Sequence, residues 1–270
     1  MNDDDRPETR YRFGEETSRR VEAIYRTADV VAQRERIRAL LALRPGERVL
    51  DVGSGPGMLA REMAEEVGER GRVTGVDLAQ SMLDIAGARC AGLPSVSFER
   101  GDAKALPFAD GTFDAAVVAQ VYEYVDDIPA ALRELRRVLA PGGRALVVDT
   151  DWHSILWHSA DPDRMRRVLT AWDGHLAHPV LPRTLTAALR SAGFEVVRRE
   201  VFPMFNPEYD PDTYSHGMVA AIRDFVTKRG LVDEPDASAW AREQVELGER
   251  GEYFFRLDRY VFVARRPPST

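Results

Sequence analysis

Cysteine is almost missing from this chain. Cys90 stands alone among 270 residues, which excludes an internal disulfide and a thiolate metal cluster. Long apolar runs are missing as well. None approaches the roughly 20 residues of a membrane-spanning helix, so no span is expected. Basic residues are outnumbered, 37 Lys and Arg against 44 Asp and Glu, for a net charge of −7. A surface that tracks phosphates needs the opposite balance, so nucleic acid is not expected as a partner. The opening Met1-Asn2-Asp3-Asp4-Asp5 lacks the positive-then-apolar pattern of a signal peptide, and the cytoplasm is the expected compartment. Histidine is sparse: His153, His158, His175, His178 and His216. Only His175 and His178 share a helical spacing, and only Asp173 stands near them, so no metal is expected.

What the chain has is 44% apolar residues over a length that can bury one sizeable core. Its most informative stretch is Val49-Leu50-Asp51-Val52-Gly53-Ser54-Gly55-Pro56-Gly57. An apolar run ends in an acid and breaks into a turn with glycine at every second position. Met58–Ala64 then reads as a helix. This strand, turn and helix bring backbone close to an adenosine-bearing ligand. A second apolar run, Arg72–Val76, ends at Asp77, where such folds want a carboxylate for ribose hydroxyls. A third, Val96–Glu99, leads to Gly101-Asp102-Ala103, where an acid can accept from an adenine amino group. A dinucleotide fingerprint needs glycine at its first, third and sixth positions. Here the sixth position is Met58, and Pro56 removes an N–H from the turn. The turn suits a nucleoside without phosphates, and S-adenosylmethionine is one.

On these three segments the chain resembles the class I S-adenosylmethionine-dependent methyltransferases. It resembles most the small-molecule branch that includes the ubiquinone and menaquinone C-methyltransferases and many natural-product enzymes. The resemblance runs from about Tyr25 to Val148. It implies S-adenosylmethionine as cofactor, with Asp51, Gly53, Ser54, Gly55, Gly57, Asp77, Leu78, Met82, Asp102, Ala103 and Gln120 around it; Tyr25 has two readings, folding over the cofactor's carboxylate from the N-terminal lid or packing within its helix. Leu78 and Met82 would lie on the adenine. Asp51 has two readings: a contact to the cofactor's ammonium, or a cap on the turn's own N–H groups.

Strand alternating with helix predicts a doubly wound α/β fold, Rossmann-like, with a seven-stranded, mostly parallel sheet. The expected strands are Arg48–Val52, Val73–Asp77, Val96–Glu99, Phe113–Ala119, Arg144–Asp149, Phe194–Val201 and Tyr253–Ala264. The resemblance adds that the last is antiparallel. An amphipathic helix is expected over Ile128–Leu139, stopped by Pro141-Gly142-Gly143, and another near Thr184–Ala192. Residues 1–14 read as a loose arm. The whole reads as one domain: N-terminal lid helices over 15–43, a cofactor-binding core over 44–150, and lid or substrate insertions at 151–182 and 203–252. The second insertion carries two helical patterns, Pro211–Arg229 and Asp236–Arg250.

Methyl transfer from a sulfonium needs alignment and exclusion of water more than acid–base chemistry. A base is needed only for a protonated acceptor. His153, after the fifth strand, and Tyr122, after the fourth, are the candidate catalytic residues; packing roles are the alternative for both. The aromatic residues of the insertions suggest a small aromatic or apolar acceptor, methylated at carbon or oxygen, with nitrogen open. Three other readings remain: a nicotinamide oxidoreductase, a non-catalytic S-adenosylmethionine-binding module, and a family member that steers a rearrangement without moving a methyl. Monomer and homodimer are both compatible with the sequence.

Overall fold

The computed structural model describes Arg20 and residues 22–268. The expected N-terminal arm, and residues 15–19 and 21 of the expected lid helices, lie outside the described residues.

A helical stretch at residues 22–25 breaks at Thr27, and α1 runs Ala28–Leu41. The scaffold then alternates: β1 Arg48–Val52, α2 Met58–Val67, β2 Arg72–Asp77, α3 Gln80–Arg89, β3 Val96–Arg100, β4 Phe113–Ala119, α4 Ile128–Val138 and β5 Leu139–Thr150. After β5 come β6 Leu156–Trp157, α5 Pro162–Trp172, α6 Pro182–Ser191, β7 Glu195–Asn206, α7 Tyr214–Lys228, α8 Glu234–Glu249 and β8 Phe255–Arg265. Helix starts follow local chemistry. Asp127, Asp161 and Asp233 cap α4, α5 and α8, each accepting a first-turn N–H and each with a proline in that turn.

The sheet order is β3-β2-β1-β4-β5-β8-β6, with β7 also on β8. The first five strands pair in parallel, and β8 runs antiparallel to its neighbours. The α/β, mostly parallel architecture is therefore the observed one. Beyond shifts of a few residues at element ends, three features differ from expectation. The helix stops at Val138 because Leu139 already pairs with Phe113, and Pro141-Gly142-Gly143 forms an irregular start to β5 instead of a loop. β7 continues to Asn206, paired with β8 through Asn206↔Phe255, so the first residues of the second insertion are strand. Pro203 fits there because β7 is an edge strand whose N–H groups can face solvent. The two-residue β6, pairing with Arg256 and Phe255, is an eighth strand the periodicity could not show.

One sheet face is covered by α1 and α2, which bring Ile37, Leu41, Leu59, Met63 and Val67 onto Val49, Val117 and Leu146. The other is covered by α4 and α6, with Leu132, Leu135, Leu185 and Leu189 on Leu50, Ala116 and Val147. The strands are apolar on both faces for this reason. A third core belongs to the insertions: α5, α7 and α8 pack Met165, Val168, Ile222 and Trp240 around Trp152, Trp157 and Trp172, with Ile24 joining from the N-terminal side. Asp29 ties these pieces together. Its carboxylate accepts the Tyr214 N–H at the start of α7 and the Asn206 side-chain amide at the end of β7.

Candidate active site

The turn after β1 takes positive φ at Gly53, Gly55 and Gly57 (68°, 51° and 75°). Side chains are excluded at two of them by space as well. A Cβ on Gly53 would stand 2.2 Å from the Val121 side chain, and one on Gly57 would stand 2.8 Å from Ala86. The turn leaves no backbone donor unused. Gly53 and Ser54 both donate to the Val76 carbonyl, at 2.7 and 3.0 Å. Gly55 donates to Asp77 Oδ2 at 2.9 Å, Pro56 has no N–H, and Gly57 donates to the Ser54 carbonyl at 3.0 Å. A pyrophosphate cradle presents free N–H groups to its ligand; this turn presents acceptors.

Those acceptors are buried and incompletely used. Asp51, at the end of β1, is buried with Oδ2 lacking any partner. Burial, reinforced by the nearby Asp77 and Glu62 carboxylates, pushes its carboxyl up to about 7. Ser54 Oγ is likewise buried and unpaired. Asp77 takes N–H groups from Gly55 and Ala79, yet burial outweighs them and raises its carboxyl. Each of its oxygens keeps a second lone pair for another donor. Beyond Asp77, Leu78 is 47% exposed while Met82 is buried. Asp102 folds back on the N–H of Lys104 at 2.8 Å, and Ala103 beside it is buried. The ammonium, ribose hydroxyls and adenine amino group of S-adenosylmethionine are donors. The residues present therefore fit that group by the chemistry of their free acceptors, and do not fit linked phosphates.

Beyond the turn lies a buried polar cluster drawn from four parts of the chain. Tyr25 sets its ring edge 3.9 Å from where a Gly55 Cβ would be. Its phenol is pushed far up by burial, although Arg259 opposes the shift, and it also feels Tyr214, Glu123 and Asp77. Glu123 is buried and accepts from Trp152 Nε1 at 3.0 Å. Asp149 is fully buried, with Oδ2 unpaired. Burial, chiefly, holds both carboxyls up, Glu123 to about 7 and Asp149 well above its ordinary value. Arg259, on β8, is 3% exposed. It donates Nη1 to Gln33 of α1 and sets its guanidinium carbon 4.5 Å from the Tyr214 ring centroid.

Gln120 ends β4 with positive φ (58°) and is held by Thr150 and the Val148 carbonyl. Tyr122 lies inside the apolar layer under the sheet with Ile128 and Leu132, and burial drives its phenol far up. His153 is half exposed, 2.9 Å from Asp173, on the rim of a groove of about 660 Å³ between Trp152, Trp157 and α5. His175 is buried against Trp172 and pushed down to about 3, so it stays neutral. The structure thus brings Tyr25, Asp51, Gly53, Ser54, Gly55, Gly57 and Asp77 together around the turn. It places His153 in a separate groove.

Sequence reasoning overlooked Arg259, Asp149, Gln33 and Tyr214. One signal for Arg259 was available: in Phe255-Arg256-Leu257-Asp258-Arg259-Tyr260-Val261 the arginine falls in phase with the inward residues, and the burial alternates accordingly.

Comparison with known proteins bears on the family and the fold. Residues 49–143 match the family described as a methyltransferase domain. A 2-phytyl-1,4-naphtoquinone methyltransferase of Thermosynechococcus vestitus is 37% identical over 175 residues, covering 58% of this chain and 76% of that protein. The enzyme of the same name from Synechococcus elongatus is 47% identical over 111 residues, covering 40% and 48%. The chain spans about half the length of the first curated relatives it matches. Among solved structures, the cyclase SpnF superposes with a TM-score of 0.59 at 26% identity, covering 89% of this chain and 82% of that one. No described helix is long and apolar enough to cross a membrane.

Proposed function

The chain belongs to the class I S-adenosylmethionine-dependent methyltransferases, and from that membership we propose that it transfers the donor methyl to a small aromatic or apolar acceptor, at carbon or oxygen. The observation that supports this most is the turn at Gly53–Gly57, whose N–H groups are all spent internally while Asp51, Ser54 and Asp77 keep acceptor capacity. When bound, the cofactor supplies a sulfonium whose methyl is already activated.

The chain's own residues have three tasks. Asp77 and Asp51 hold hydroxyl and ammonium donors and orient the donor. Tyr25, arching from the N-terminal side over Gly55, and the helices α5, α7 and α8 exclude water. Gln120, Glu123 and Thr150, at the ends of β4 and β5, line the place where the acceptor meets the methyl. In this reading the N-terminal helix and the two insertions are the lid. Neither Tyr122, sealed in the apolar layer, nor His153, in its own groove, is assigned as a base. Glu123, raised into the neutral range, is the group fitted to take a proton if the acceptor carries one.

The relatives' names favour a quinone-type acceptor. The SpnF likeness favours a second reading, in which the bound cofactor aids a ring closure and keeps its methyl. Calorimetry with S-adenosylhomocysteine and NADH, followed by a count of S-adenosylhomocysteine formed per turnover with hydroxynaphthalene acceptors, separates these. Binding of NADH in place of the nucleoside sinks both. Product without S-adenosylhomocysteine favours the second.

A further inference from the structure

Arg259 presents an unusual arrangement for a buried cation. Its Nε has no hydrogen-bond partner, and among the described residues no carboxylate lies within ion-pair distance of it. The groups it does contact, Gln33 and Tyr214, are neutral. Glu123 and Asp149 act on it only through space, without a direct contact to its guanidinium. A desolvated charge without a paired anion is costly, so a site that keeps one gains from a ligand that supplies the anion.

The position of Arg259 identifies that ligand's place. It pairs across the sheet with Thr150, the last residue of β5. It stands where α1 (through Gln33) and α7 (through Tyr214) close over the carboxyl edge. Tyr25 sets its ring edge against Gly55 of the donor turn, and its phenol feels the charge of Arg259. The cofactor brings one carboxylate of its own; the place of Arg259 opposite Thr150, at the end of β5, assigns its anion to the acceptor instead, and a large loss of S-adenosylhomocysteine affinity in Arg259→Gln would return that anion to the cofactor and overturn the assignment.

We propose that Arg259 anchors a carboxylate of the methyl acceptor, so that the acceptor class is a planar aromatic acid. A guanidinium edge matches a carboxylate better than it matches any neutral oxygen. This rests on the methyltransferase reading, and the experiment keeps the two apart.

Protein saturated with S-adenosylhomocysteine is titrated with 1-hydroxy-2-naphthoate and, separately, with the isosteric 1-hydroxy-2-naphthamide, by calorimetry. The wild-type protein is expected to bind the acid about tenfold or more tightly than the amide. Arg259→Gln is expected to abolish that preference, and Arg259→Lys to retain part of it, with S-adenosylhomocysteine affinity changed by no more than about twofold in both. Equal affinity for acid and amide in the wild type, or no binding of the acid, overturns the proposal without needing any variant to fold. A preference that survives in Arg259→Gln overturns it too. Failure of S-adenosylhomocysteine to bind wild type, by contrast, removes the underlying methyltransferase reading.

Discussion

The carboxylate of Asp77, at the end of β2, accepts the backbone N–H of Gly55, three residues past the end of β1, at 2.9 Å. Its other oxygen accepts Ala79 N–H at 2.9 Å. One side chain thus closes the glycine turn and starts the step into α3. Asp77→Ala removes both bonds and leaves two part-buried donors unpaired. A loss of about 2 kcal/mol in urea unfolding is expected, with S-adenosylhomocysteine affinity down at least about tenfold. Asp77→Asn, which keeps one acceptor, is expected to lose less of each. An unchanged affinity in the alanine variant would remove Asp77 from the cofactor site.

Gly53 and Gly46 both take positive φ, yet only Gly53 is crowded, by Val121. Gly46→Ala is expected to cost about 1 kcal/mol, the strain of a left-handed alanine. Gly53→Ala adds an overpacking cost of about 1–3 kcal/mol. Thermal unfolding of the two variants compares them directly. Similar losses would mean that Val121 gives way freely.

Asp51 offers a test by pH. Burial sets its folded pKa at about 7, above the ordinary 3.8, so the folded state keeps a proton that the unfolded chain releases. Stability therefore falls as pH rises from about 4 to about 7, by at most about 4 kcal/mol from this group, and levels off above. Asp51→Asn is expected to lose that slope and to be the more stable protein at pH 8. A cofactor ammonium at Asp51 favours the ionised form. Affinity for S-adenosylhomocysteine is then expected to climb toward pH 7, with proton release visible in buffers of different ionisation heat. Binding without proton release at pH 6 would assign Asp51 to the turn alone.

Trp152 and Glu123 meet at 3.0 Å in the interior. Trp152→Phe keeps the ring but deletes the donor, leaving a buried carboxyl with one bond fewer. A cost of about 1–3 kcal/mol is expected. In a cycle with Glu123→Met, which removes the acceptor, a coupling energy of roughly 1 kcal/mol in chemical denaturation would confirm the pair; additive losses would refute it.

Strand boundaries were legible where the signal was local. β1, β2 and β4 announce themselves as apolar runs closed by acids or turns, and α4 by its amphipathic spacing; α5 was not expected, although Asp161 and Pro162 mark its start. The start of β5 was not legible, because a Pro-Gly-Gly segment normally ends structure and only pairing with Phe113 draws Leu139 into the sheet. β6 was invisible because two residues carry no periodicity. The insertions' tryptophans looked like a substrate wall; Trp172 and Trp240 instead close a core of their own, since three amphipathic helices need something to bury.

The sequence by itself determined the donor turn. Glycine at alternate positions, a proline without an N–H and an acid after each of two strands are constraints on backbone shape and hydrogen bonding, and these act between near neighbours. Only the tertiary structure decided the acceptor side. Tyr25, Gln33, Glu123, Asp149, Tyr214 and Arg259 come from segments far apart in the chain. Whether a charged residue is solvated or buried without a counter-ion depends on what folds over it, and the chain's local pattern does not encode that.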